Sequence, residues 1–304
     1  MTASVRSHCS MPALATCLLM GISAPAISDD KPVTLENIIE VWKAREQNTK
    51  SFDFHWSARR FEDGETGLFA MNARMAAVRD RAAVRDLWVF PQIPDAKFII
   101  NYRYVSDAKG RIRVEESGQE WSTEKSSLVP RIHLEVFDGA NRRSLFLASA
   151  SGTPSDHVWS DSNAVGKLVW LHPVNMVYRP FSKSGGVFDE KTIALTTEKA
   201  DLGGQPMLVL SDAACQVWVD PTRDFVPVRY LVVRNGATEW QMDLSFTHDH
   251  ECGWIPRLWT INLADPAGKP RITESAKVLE YTLNKPIENS EFDTDLDREL
   301  AKTK

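Results

Sequence analysis

Cysteine is scarce in this chain of 304 residues: there are four, and two of them, Cys9 and Cys17, lie in an N-terminal segment that reads as a cleaved leader. A fold held together mainly by disulfides is therefore excluded. Glycine and proline number 15 and 16, too few for a collagen-like or low-complexity chain. Charge of one sign is also lacking. Thirty-six Lys and Arg stand against 41 Asp and Glu, a formal charge of −5 with no long run of either sign, so the sequence carries no nucleic-acid footprint. No apolar run approaches the ~20 residues that a membrane-spanning helix needs, so no permanent membrane span is expected. Motifs of the common hydrolases and nucleotide-binding enzymes are missing: there is no G-x-S-x-G, no H-E-x-x-H, no phosphate loop and no G-x-G-x-x-G after a strand. The expectation is a protein without catalysis and without a cofactor.

What is present is enough for a core: 43% of residues are apolar, and ten are tryptophan. Residues 1–26 read as a secretory signal. One charge, Arg6, precedes the apolar stretch Met11–Ile22, and Ala24 and Ala26 fit the small-x-small rule for cleavage at Ala26 or up to residue 28. Leu14-Ala15-Thr16-Cys17 has the outline of a lipoprotein box, but Thr16 is a poor residue before the cysteine, and lipid anchoring is not expected. The expected location is the periplasm or the exterior, with 29–304 as one domain.

The mature chain opens with Thr34, an N-cap residue, ahead of Leu35, Ile38, Ile39 and Trp42 at helical spacing, which predicts an amphipathic helix of about 15 residues. After it, alternation takes over. Phe52, Phe54, Trp56 and Ala58 share one strand face. Ile132, Leu134 and Val136 repeat the pattern before Asp138-Gly139, and Leu145 and Leu147 continue it beyond. From Cys215 the pattern is clearest: a strand to Pro221, a return through Val226, Val228, Tyr230 and Val232, the hairpin signal Asn235-Gly236, and then Trp240, Met242, Leu244 and Phe246 alternating with polar residues. Further strands are expected at 192–198, 206–211, 254–262 and 272–282. Residues 62–100 carry no clear period, and 150–190 suit short helices or a covering loop.

The densest polar constellation is His248-Asp249-His250-Glu251-Cys252. His248, His250 and Cys252 are zinc-ligand types, but neighbours along a strand point to opposite faces, so a solvated turn is the simpler reading and no metal is expected. Asp138-Gly139 and Asp220-Pro221 likewise read as turn chemistry. Cys215 and Cys252 fall at opposite ends of the expected meander, too far apart for a bridge.

One amphipathic helix cannot cover so many half-apolar strands. Either the sheet closes on itself or it lines a cavity. The order of elements resembles the lipoprotein-localisation factor A and outer-membrane-lipoprotein-sorting superfamily, through Ser51-Phe52-Asp53-Phe54-His55-Trp56, Val136-Phe137-Asp138-Gly139 with Arg143-Ser144-Leu145-Phe146, Val217-Trp218-Val219-Asp220-Pro221 with Val226-Pro227-Val228-Arg229, and Asn289-Ser290-Glu291-Phe292-Asp293. The resemblance implies a mainly β fold with some helix: a curved, incompletely closed antiparallel β-barrel covered by the N-terminal helix and short lid helices. It also implies a non-catalytic carrier or receptor that takes an acyl chain or a lipoprotein into an apolar cavity. Phe52, Phe54, Trp56, Leu134, Leu145, Trp240, Met242, Leu244 and Phe246 are the candidate lining, with Ile38, Ile39 and Trp42 packing over them. Arg111 and Arg113 are the counterparts of a cavity arginine. Related folds also serve as stress sensors, so the alternative is an envelope protein-binding module whose interior is filled by side chains, and a third reading is a metal-dependent enzyme built on 248–252.

Overall fold

The computed structural model describes residues 32–62, 96–122, 125, 127–148, 155–159, 169–182, 186–212, 215–234, 237–264 and 270–293. The leader and the Asn235-Gly236 turn lie outside them. Thr34–Lys304 form one compact unit.

Helix α1 (Leu35–Asn48) starts where the sequence places it. The Asn37 amide donates to Thr34 Oγ1 and Asn37 Oδ1 accepts from the Thr34 amide, a reciprocal cap. Ile38 and Trp42 are buried and Ile39 half-buried. Among the described residues thirteen strands follow: β1 (Ser51–Glu62), β2 (Ala96–Asp107), β3 (Ile112–Ser122), β4 (Ser127–Phe137), β5 (Arg142–Ala148), β6 (Ser155–Trp159), β7 (Ala194–Leu202), β8 (Gln205–Asp212), β9 (Cys215–Asp220), β10 (Val226–Arg234), β11 (Ala237–Asp249), β12 (Gly253–Ala264) and β13 (Pro270–Leu283). A second helix, α2 (His172–Tyr178), follows a 3₁₀ turn at Val169–Leu171, between β6 and β7.

All strands join one antiparallel sheet, ordered β6-β5-β4-β3-β2-β1-β13-β12-β11-β10-β9-β8-β7. Two meanders, β1–β6 and β7–β13, are thus sewn together where the first strand pairs with the last, from Phe52 opposite Leu283 to Arg60 opposite Glu274. The order has two ends, β6 and β7, so the sheet is not closed.

The position of α2 shows that the sheet curls. β2 and β10 are five strand steps apart in the sheet, about 24 Å across a flat one, while a seven-residue helix is only ~10 Å long. Yet α2 reaches both: Tyr104 of β2 donates to Asn175, Tyr178 donates to the Trp254 carbonyl of β12, and the His172 ring meets Tyr230 of β10 and Trp240 of β11. Only a curled sheet brings those strands around one short helix. The fold is mainly β, a curved and incompletely closed barrel with helices. The alternating segments around 52–58, 132–147 and 215–246 are strands as expected, and the four further strands lie at β7, β8, β12 and β13. The strands β3 and β6 and the part of β2 beyond residue 100 are additional to the expected ones, and of the segment 62–100 the described ends are strand.

Candidate functional site

Directly paired residues of neighbouring strands point to the same face, so register sorts the candidate lining. On the face that meets α2, Phe54 lies opposite Tyr104, Val114, Glu135 and Ser144 in turn, and Trp56 opposite Tyr102, Glu116, His133 and Phe146. Phe52, Phe54, Trp56, Trp240, Met242 and Leu244 are buried on this inner face. Their rings are already in contact with one another and with α2. Phe52 meets Tyr104 at 4.9 Å, Phe54 meets Tyr178 at 5.6 Å, Trp56 stacks on Tyr102 at 5.0 Å, and Tyr230 meets Trp240 at 5.2 Å. Every residue of α2 is buried. Over it, Trp42 of α1 stacks on Phe188 and donates from Nε1 to the Phe225 carbonyl at 2.8 Å. Leu134 and Leu145 are buried as well, but in the row His55, Arg103, Glu115, Leu134 and Leu145, which is the outer face. They form a separate small cluster with Val136. Phe246 is half-buried and packs with Met207, Val226 and Val228. Alternation cannot reveal this split, because it fixes faces within a strand but not between strands.

The inner face turns polar toward β5. Arg60 pairs with Glu274, whose side chain is fully buried, and donates to the Tyr102 hydroxyl. Arg131 bridges Glu116 and Glu120, and Arg142 pairs with Glu135. Ser144 Oγ lies 2.8 Å from His133 Nε2, and His133 Nδ1 lies 3.6 Å from a Glu116 oxygen. Burial pushes the Glu116 carboxyl up, but His133, Arg131 and Arg60 outweigh it and hold it down at about 2. A serine, a histidine and a carboxylate in line are the parts of a nucleophile relay. Here Ser144 is only 2% exposed and Phe146 stacks on the His133 ring at 4.1 Å, so the hydroxyl is sealed from substrate. Three strands supply these residues, and no local motif marks them.

Arg111 and Arg113 are not inside the curl. Arg111 pairs with Asp107, donates to Asn289 Oδ1 and covers the Phe292 ring. Arg113 pairs with Glu115 and donates to the Glu291 carbonyl. Together with Arg103, which grips both oxygens of Glu291, they strap the 3₁₀ turn Asn289–Phe292 to the outer face of β2 and β3. Against this strap lies a depression of about 250 Å³, bordered by His55, Asn101, Arg103, Arg113, Glu115, Ser117, Ile132 and Leu134, together with the intervening Tyr102, Glu116 and His133 of β2, β3 and β4. Arg103 also holds Asp53 through Nε and Nη2. Burial opposes the Arg103 charge, but Asp53 and Glu291 more than compensate and raise its pKa. For Glu115 burial pushes up, and Arg113 and Arg103 pull it below the ordinary carboxylate range.

His248 and Asp249 end β11, and residues 250–252 form the turn to β12. Asp249 Oδ1 accepts from the Glu251 and Cys252 amides at 2.9 Å each, and Oδ2 accepts from the Tyr281 hydroxyl. That hydroxyl bond and the two amides hold Asp249 at about 2, and the same contact lifts Tyr281 to about 12. The carboxylate is spent on its own turn. His248 lies against the edge of Trp254 and His250 is exposed. Among the described residues no three ligand-type side chains converge. Asp138 and Asp220 are used in the same way, each accepting two backbone amides or an amide and a hydroxyl of its turn. Cys215 and Cys252 are both free thiols. Cys215 shares a row with Val232, Trp240 and Leu263, and Cys252 lies past the far end of β11.

No family model and no curated protein matches the chain. Among solved structures the chain is similar to a β-barrel-like protein with a domain of unknown function (DUF1849) from Brucella abortus, at 6% identity and a TM-score of 0.32, covering 78% of this chain and 99% of that one. It is also similar to a porin-like protein from Bacteroides uniformis, at 6% identity and a TM-score of 0.27, covering 78% and 98%.

Proposed function

We propose that this chain is an exported, non-catalytic binding module of the cell envelope that recognises another protein through its outer surface. The observation that carries this reading is the buried α2: the space that an acyl chain would need holds a helix instead. A chain of about fifteen methylenes gains roughly 12 kcal/mol on burial. Driving out α2 would expose Leu171, Val174, Met176, Val177 and Tyr178, all buried, at roughly 1.5–3 kcal/mol each. The two sums cancel, so hydrocarbon burial alone leaves no affinity. The sealed Ser144–His133 pair and the turn at 248–252 give no support to a hydrolase or a metal enzyme. The carrier implied by the family resemblance remains the second reading, and it requires α2 to leave the curl.

Native mass spectrometry of the protein purified from its own envelope, with a fluorescent fatty-acid uptake assay, tests the proposal. The expected result is the bare chain mass and no uptake. A stoichiometric lipid adduct would overturn it in favour of the carrier.

A further inference from the structure

We propose that the outer-face depression beside Glu115 is a receptor site for a basic side chain, a lysine or arginine presented by the partner protein. The inference rests on the protein-binding reading above and adds to it the place and the chemistry of recognition.

The argument is one of charge balance and spare acceptors. The depression has two guanidinium groups, and three carboxylates outnumber them. Arg103 gives Nε and Nη2 to Asp53 and Nη1 and Nη2 to Glu291, and Nη1 also faces Glu115. Arg113 gives Nε to Glu115 and Nη1 to the Glu291 carbonyl. Both arginines reach Glu115 through one oxygen, Oε1. Among the described residues Glu115 Oε2 accepts nothing, and the side chains of Asn101 and Ser117 have no partner. His55 is turned to Asp53, its Nε2 at 3.0 Å from that carboxylate, which leaves Nδ1 open. Among the described residues Arg113 Nη2 is the guanidinium nitrogen left without a partner. Three carboxylates, Asp53, Glu115 and Glu291, nevertheless surround the two arginines, so the local charge balance favours a cation over an anion. An ammonium or guanidinium would find a half-exposed carboxylate oxygen, an amide and a hydroxyl.

The surroundings suit a side chain on a protein rather than a free ion. Leu134 and the 37% exposed Ile132 form one wall, against which the aliphatic stem of a lysine or arginine can lie while its head stays polar. The row that contains Ile132 continues over Ser117, Asn101, Ser57 and Lys277 to Leu258. It is a floor of Ser117, Asn101 and Ser57, with the exposed Lys277 next to Leu258 at the end away from the depression, and Ile99 is half exposed beside it. An extended segment laid along this floor gains apolar contacts at both ends, and the depression fixes its register.

Two capped tripeptides, Ala-Lys-Ala and Ala-Glu-Ala, are titrated into the isotope-labelled protein while the Asn101 side-chain amide and the His55 ring signals are followed. The lysine peptide is expected to shift both in a saturable way and the glutamate peptide neither. Glu115→Gln should weaken the lysine peptide at least about tenfold, the equivalent of 1.4 kcal/mol. Ser117→Tyr, which fills the depression from an exposed strand position, should abolish the response with the fold unchanged. Equal responses to both peptides, no response at all, or full lysine binding in either variant would overturn the site. A photo-crosslinking residue placed at Ile99, beside the depression, or at Glu198 of β7 in living cells separates this failure from that of the wider reading. Protein adducts at 99 that disappear with Glu115→Gln support the site. Adducts at 198 alone overturn the site and leave protein binding standing, whereas no adduct at either position together with bound lipid overturns both.

Discussion

The Tyr104 hydroxyl donates to Asn175 Oδ1 across 2.7 Å, a buried bond between β2 and the helix inside the curl. Burial raises the Tyr104 pKa well above that of a free phenol, so the group stays a donor over the whole accessible pH range. Asn175 is itself fully buried. Tyr104→Phe keeps the ring packing against Phe52 and leaves the amide oxygen without this donor, so unfolding in denaturant should show a loss of about 1–3 kcal/mol. An unchanged midpoint would mean that α2 is not anchored to β2.

Close approach of two strands gives a second prediction. A Cβ on Gly118 would fall 2.5 Å from the Ile99 carbonyl oxygen and 2.9 Å from the Ile100 Cα. Backbone, not a flexible side-chain end, is in the way. Gly118→Ala should force β2 and β3 apart and cost about 1–3 kcal/mol, measured by thermal unfolding. A melting temperature equal to that of the parent protein would contradict the pairing of Gly118 with Ile100.

The turn before β10 stores strain. Asp224 and Phe225 follow one another at φ of 51° and 54°, the left-handed region that costs a residue with a Cβ about 1–2 kcal/mol. They are held there because their carbonyls accept from Arg45 Nη2 and Trp42 Nε1 of α1. Asp224→Gly keeps the carbonyl and removes the Cβ. It should raise stability by up to about 1 kcal/mol, less what the freer unfolded chain loses. A fall in melting temperature would show that the Asp224 side chain contributes more than its backbone strain costs.

Acid should weaken the curl through Glu116. Its carboxyl ionises near 2 in the folded chain, against 4.5 for an ordinary glutamate. A folded pKa depressed in this way contributes stability that is fully present above 4.5 and is lost as pH falls from there through about 2. Glu116→Gln removes that contribution, so its stability should be lower at neutral pH and its decline over this window shallower than that of the parent. Parallel acid limbs for the two proteins would contradict the pairing of Glu116 with Arg131 and His133.

The parts of this fold that the sequence makes legible are those where one face is apolar and the other polar. β1, β4 and the run from β9 to β11 have that alternation, and each is a strand. β3 has glutamates at 116 and 120 on its inner face, paired with Arg131, so hydrophobic alternation fails where the protein places charge inside. α2 has no polar face because it is buried on every side, and seven residues without a stripe give no helical period. Alternation sorts the candidate lining only strand by strand. The register across β1–β5, which sends Leu134 and Leu145 to the opposite face from Phe54, depends on pairings between residues as distant in sequence as Ser51 and Asp107. The outer depression is composed of residues scattered over four strands, and no short motif could announce it.

The account depends on α2 being a fixed part of the core, and hydrogen exchange of residues 172–178 followed by mass spectrometry tests this most directly. The account predicts that these amides exchange as slowly as those of β1 and β2, through global unfolding, and that added fatty acid changes nothing. Fast exchange in the folded protein, or exchange altered by fatty acid, would mean that the helix leaves the curl and that the interior is a binding site after all.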